Sequence, residues 1–130
     1  MSVTGVKISS TFLELPTIND AYFMRNYTYV YGFAPSANAE WWFDSLVKVN
    51  VLTAQALWWS EPGCFPGEAV FVARPGATDE DDGVLLSVIL DSVHNSSFLL
   101  ILDARDLSEV ARVNVDYVIR FGFHGRYYQV

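Results

Sequence analysis

Cysteine is nearly missing from this sequence. Cys64 stands alone, which excludes an internal disulfide and any zinc site built from several thiolates, and is compatible with a reducing compartment. Positive charge is scarce as well. Eight Lys and Arg face fifteen Asp and Glu, a formal net charge of −7, so an electrostatic grip on phosphates or anionic lipid is disfavoured and no nucleic acid partner is expected. No segment reaches the roughly 18 apolar residues of a membrane-spanning helix. The opening stretch, MSVTGVKISS, has one Lys and no continuous apolar run, and reads as neither a secretory signal nor an anchor. A cytoplasmic location is the resulting expectation. The glycosylation patterns at Asn26-Tyr27-Thr28 and Asn95-Ser96-Ser97 are then chance matches.

What is present is apolar and aromatic: 52% and 15% of 130 residues, enough for one domain with a modest core. The most apolar region, residues 67–103, carries Val70, Val72, Val84, Leu86, Val88, Leu90, Leu99 and Ile101 in a period of two, which fits pleated strands better than helices. Arg74-Pro75-Gly76 with the acidic run Asp79, Glu80, Asp81, Asp82 forms one loop, and His94-Asn95-Ser96-Ser97 the next. The spacing predicts a three-stranded antiparallel meander that needs a second layer over its apolar face.

The remaining segments follow the same rule. Residues 26–33 alternate Tyr27, Tyr29 and Tyr31 with Thr28, Val30 and Gly32, a strand with one aromatic face. Residues 44–50 form a strand with Leu46 opposed to Val47, and residues 53–54 turn the chain into a hairpin arm ending in Trp58 and Trp59. Pro62, Gly63, Pro66 and Gly67 break the pattern, placing a boundary between two sheet units near residues 61–66. Residues 104–109 read as a turn and residues 110–115 as a fourth, outer strand. The chain is therefore expected to be all-β, with antiparallel meanders suited to a sandwich, a barrel or propeller blades, and no helix longer than about two turns.

Several polar residues invite a chemical role. His94 sits in a polar turn and reads as a solvated turn residue. His124, in the aromatic tail 118–128, is by itself a surface or aromatic-packed histidine. Glu14 and Glu68 lie among apolar residues and could be edge-strand charges facing water. The acidic run lacks the spaced ligands of a calcium loop and reads as a solvated turn. Trp41, Trp42, Trp58 and Trp59 would make either a hydrophobic wall or membrane-touching patch, or caps on a sheet core. Cys64 has no nearby base and reads as packing.

Glu14-Leu15-Pro16-Thr17-Ile18-Asn19, Tyr29-Val30-Tyr31-Gly32, Gly67-Glu68-Ala69-Val70-Phe71-Val72, Asp81-Asp82-Gly83-Val84-Leu85-Leu86-Ser87-Val88, Leu99-Leu100-Ile101-Leu102-Asp103-Ala104 and Phe121-Gly122-Phe123-His124-Gly125 occur in one order. As an ordered set, running from about Ser9 onward, they resemble the C-terminal end of the carotenoid cleavage oxygenases, the group that includes β-carotene oxygenases and the retinal pigment epithelium isomerohydrolase. The resemblance implies a seven-bladed β-propeller of which this chain supplies the last two blades, residues 1–61 ending the penultimate blade and 62–130 forming the last blade and a C-terminal ligand segment.

It also implies the chemistry. In that family four histidines hold Fe(II), and the last lies in a motif matching Phe123-His124-Gly125, so His124 is the implied ligand. Glu14 and Glu68 are implied behind the ligands as carboxylates hydrogen-bonded to ligand histidines. Ala69 departs from the proline usual after that glutamate. No residue here is itself expected to be catalytic, and with three ligand histidines absent the chain alone is not expected to hold iron. The complete form would cleave an apolar polyene with O2. The alternative is a noncatalytic β module that binds an apolar ligand or a partner chain, self-associating through open sheet edges.

Overall fold

A computed structural model of the chain describes residues 4–39 and 42–128. Two antiparallel sheets account for nearly all its regular structure. The first contains β1 (Glu14–Thr17), β2 (Tyr29–Ala34), β3 (Ser45–Asn50) and β4 (Ala56–Ser60), in spatial order β1-β2-β3-β4. A single 3-10 turn, Asp20–Tyr22, follows β1, with Asn19 capping it through the Ala21 amide. The second sheet contains β5 (Cys64–Pro66), β6 (Val70–Ala73), β7 (Gly83–Asp91), β8 (Ser96–Asp103) and β9 (Glu109–Val115). Here β5 and β6 share one edge of β7, β8 lies on the other, and β9 is outermost. The second sheet is thus also four strands wide.

Alternation decides which side chains meet. In β2 the tyrosine face turns toward the second sheet: Tyr31 is buried and stacks on Phe71 at 5.7 Å, with Tyr29 and Phe33 beside it. Its hydroxyl donates to the Ala104 carbonyl at 3.2 Å, so the phenol is satisfied across the interface. Leu46 joins this core, which the second sheet fills with Leu85, Ile89, Phe98, Leu100 and Leu102. Val47, pointing the other way, builds a smaller cluster with Ala34 and Val49. Tyr29, Tyr31 and the opposed Leu46 and Val47 therefore behave as their period-two spacing requires, whereas Tyr27, expected on the same face, precedes β2 and is exposed.

Two expectations need correction. The boundary stretch 61–66 is not simply a break, because Cys64–Pro66 forms β5 and pairs with residues 89–91 of β7. A proline is tolerated there since β5 lies on a sheet edge, where its missing N–H costs no ladder bond. The acidic run is a solvated turn only at Asp79. Glu80 accepts the Thr28 and Tyr29 amides at 2.7 Å each, and Asp82 pairs with Arg74 and Arg105. Asp81 meets Lys48 at 2.6 Å. Through Glu80 and Asp81 the loop between β6 and β7 ties the two sheets together.

Candidate metal centre

Each implied glutamate sits at an irregularity on a sheet edge, Glu14 in β1 and Glu68 in the interruption between β5 and β6. Between the pairs Glu14 with Phe33 and Thr17 with Tyr31, two residues of β1, Leu15 and Pro16, oppose the single Gly32, and Leu15 takes a left-handed φ of 44°. Between the pairs Pro66 with Ile89 and Val70 with Leu86, three residues, Gly67, Glu68 and Ala69, oppose the two of β7, Ser87 and Val88. An extra residue in an edge strand bends it and re-aims its side chains, so both carboxylates are placed by bulges. The two irregularities are stitched together: Thr17 Oγ1 donates to the Ala69 carbonyl at 2.6 Å. Ala69, where the related pattern carries proline, is fully buried and supplies that acceptor.

Beyond β9 the chain turns back as an irregular strap, residues 116–128, over the outer face of the second sheet. Glu68 grips its far end. One carboxylate oxygen lies 3.0 Å from Nδ1 of His124, and the other accepts the Gly125 amide at 2.7 Å. The Glu68 side chain is 11% exposed and that of His124 67%. A carboxylate only accepts, so the shared proton resides on Nδ1, which leaves the Nε2 lone pair available as a metal donor. Phe123 packs edge-on against the imidazole at 4.9 Å. Between strap and sheet runs a cleft of about 310 Å³, walled mainly by Val70, Leu86, Val88, Leu90, Leu99 and Phe121.

Glu14 is exposed, on the edge strand, and its carboxylate has no partner among the described residues. The structure brings Glu68 and His124 together and leaves Glu14 apart from them. The donor chemistry fits one corner of an iron site: a tautomer-fixed imidazole backed by a carboxylate is a good Fe(II) ligand arrangement. Among the described residues no group of three or more His, Cys, Asp or Glu side chains converges to complete such a site. His94 lies away from it in the β7–β8 turn, 76% exposed, with Nδ1 2.6 Å from Asp91. The hydrogen bonds His94 donates hold the Asp91 carboxyl below its ordinary range.

The three described tryptophans form no single patch. Trp58 pairs with Val47 and is exposed, whereas Trp59 pairs with Leu46 and packs against the inter-sheet core. Trp42 touches Phe43 and Phe121, and Trp41 lies outside the described residues. Cys64 is buried, and burial, followed by the charges of Glu61 and Asp91, pushes its thiol up to about 11.

The family model described as retinal pigment epithelial membrane protein matches residues 2–129. The chain belongs to this family. It is 47% identical over 113 residues to a carotenoid dioxygenase of Neurospora crassa, covering 86% of this chain and 18% of that protein. The β,β-carotene 15,15'-dioxygenase of Mus musculus is 43% identical over 116 residues, covering 87% and 20%. Among solved structures, cobalt-substituted apocarotenoid oxygenase of Synechocystis superposes with a TM-score of 0.88 at 31% identity, covering 95% of this chain and 26% of that one. A chimera of that oxygenase gives the same score, identity and coverage. The chain therefore spans about a fifth of the curated relatives it matches. Its two antiparallel sheets are blades of the family's seven-bladed β-propeller.

Proposed function

We propose that this chain is the C-terminal portion of a nonhaem Fe(II) carotenoid or apocarotenoid dioxygenase, with residues 1–61 ending the penultimate blade and 62–130 forming the last. The observation that carries the reading is the Glu68 carboxylate on His124 Nδ1 at 3.0 Å, in a chain of this family. His124 would supply one imidazole to the iron through Nε2. Glu68 keeps the proton on Nδ1, makes the ring a stronger donor and stops it rotating. Glu14, exposed and unpartnered here, would stand behind a ligand histidine from elsewhere in the complete protein. The iron, held by four histidines, would supply the activation of O2 that splits a polyene double bond into two carbonyls.

The reading places the complete enzyme in the cytoplasm, with peripheral membrane contact. The unpaired thiol of Cys64 is consistent with a reducing compartment. No helix among the described residues is long and apolar enough to cross a membrane. An immunoblot of source cells with an antibody to residues 79–82 tests the reading first. The expected band is several times larger than 14.6 kDa. A band only at 14.6 kDa would overturn it.

A second reading rests on the sheet edges. Among the described residues β4 and β9 each pair on one side only, and Leu57, Trp58, Val110 and Val113 are exposed on them. A short chain with such edges would act as a noncatalytic module that pairs with itself or a partner. Concentration-dependent association without metal uptake would favour it.

A further inference from the structure

Two side chains, Ser97 and Glu68, accept backbone amides of the strap that carries His124, and of these only Glu68 touches the imidazole. The outer face of the second sheet is apolar across β7 and β8, with Leu86, Val88, Leu90 and Leu99 lining the cleft beneath the strap. Ser97 projects onto that same face, two residues before Leu99, and is 1% exposed. Its Oγ accepts the Ile119 amide at 2.9 Å and faces the Ile119 carbonyl at 3.4 Å. A hydroxyl buried among apolar side chains must find its partners there, which makes the contact directional where the surrounding packing is not.

Register explains why this serine does the holding. Ser97 is paired through its backbone with Val115, the last residue of β9. Beyond Val115 the ladder stops, the chain bends through residues 116 and 117, and Ile119 returns to the side chain of the residue the backbone has just left. Ser97 thus continues the pairing of β8 by one side-chain contact past the end of the strand. Five residues further on, Glu68 takes the other grip, on His124 and Gly125. Phe121, between the two, rests against Trp42 at 5.7 Å.

We propose that Ser97 is a positioning residue for His124, fixing the near end of the strap so that the imidazole meets Glu68 in one register. This deepens the iron-ligand reading and rests on it for its consequence in the complete protein. The mechanical part, a coupling between Ser97 and Gly125 through the strap, stands on the geometry alone.

The test uses the longest native polypeptide that contains these residues, with Ser97→Ala read by amide hydrogen exchange and by bound iron. The expected result is faster exchange at Ile119 and also at Gly125, each by about five- to tenfold, the size expected for loss of one ordinary hydrogen bond. Bound iron should fall with the Gly125 protection, while β7 and β8 amides keep theirs. Ser97→Cys, close in size and still a weak donor and acceptor, should recover part of both and replaces the alanine variant if that fails to fold. Faster exchange at Ile119 with wild-type protection at Gly125 and unchanged iron would overturn the proposal. If wild-type protein binds no iron, the iron-ligand reading fails, and Gly125 exchange alone still decides whether Ser97 positions the strap.

Discussion

Lys48 and Asp81 meet at 2.6 Å between the two sheets, with the lysine side chain only 5% exposed. The ammonium also donates to the Arg105 carbonyl at 2.8 Å and lies 4.0 Å from the centre of the Tyr29 ring. Removing the carboxylate strands a buried ammonium, whereas replacing both partners together strands neither charge. Asp81→Ala is therefore expected to destabilise the protein by about 3 kcal/mol, and the paired replacement Lys48→Met with Asp81→Leu to be close to neutral. Equilibrium unfolding of both variants beside wild type checks the difference.

Glu68 divides its two oxygens between a ring nitrogen and a backbone amide. Glu68→Gln can still accept at one atom but cannot serve both grips as an acceptor, since its other atom is a donor. Metal affinity of the complete protein should fall about 10- to 100-fold in the glutamine variant. Competitive chelation reads this directly, and an unchanged affinity would remove Glu68 from the site.

Gly32 is the one residue opposite the Leu15 and Pro16 bulge. A Cβ at this position would lie 2.6 Å from the Glu14 carbonyl and 2.8 Å from the Leu13 side chain, so β1 must move before an alanine fits. Gly32→Ala is expected to cost about 1 to 3 kcal/mol and to loosen the Thr17 bond to Ala69. A lowered melting temperature with faster exchange in residues 13–17 would agree. A neutral variant would mean that the edge strand is not held by this contact.

Cys64 gives a pH prediction with a definite sign. The folded thiol keeps its proton up to about 11, mainly because it is buried, while the unfolded chain releases it near about 8.5. The contribution to stability is full below the lower value and is lost as pH rises through the upper one. Cys64→Ala should remove this slope between those limits. In the folded protein a disulfide reagent at mildly alkaline pH should leave the thiol intact until denaturant is added.

The strands were legible because each is short, apolar and separated by turn residues. The tyrosines of β2 and the opposed Leu46 and Val47 could be assigned to faces from spacing alone. Cys64–Pro66 was hidden by its flanking Pro and Gly, which mark an edge strand as readily as a break. The acidic loop misled for a different reason: its partners are Thr28, Tyr29, Lys48 and Arg105, distant in sequence, and local composition carries no trace of them. Lys48, on an alternating strand, gives no local sign of burial. At the site, the ordered motifs pointed to Glu68 and His124, which the fold brings into contact. Ser97 reads locally only as part of a glycosylation pattern, and the return of the strap onto β8 is what gives its hydroxyl a role.

The central claim is that His124 is an iron ligand of a larger oxygenase. The most direct test compares His124→Ala with wild type in the native full-length polypeptide, measuring bound iron and cleavage of an apolar polyene on the same preparations. The account predicts stoichiometric iron and cleavage in wild type, with both lost in the variant while its unfolding midpoint stays near wild type. Wild-type iron and turnover in His124→Ala would contradict it.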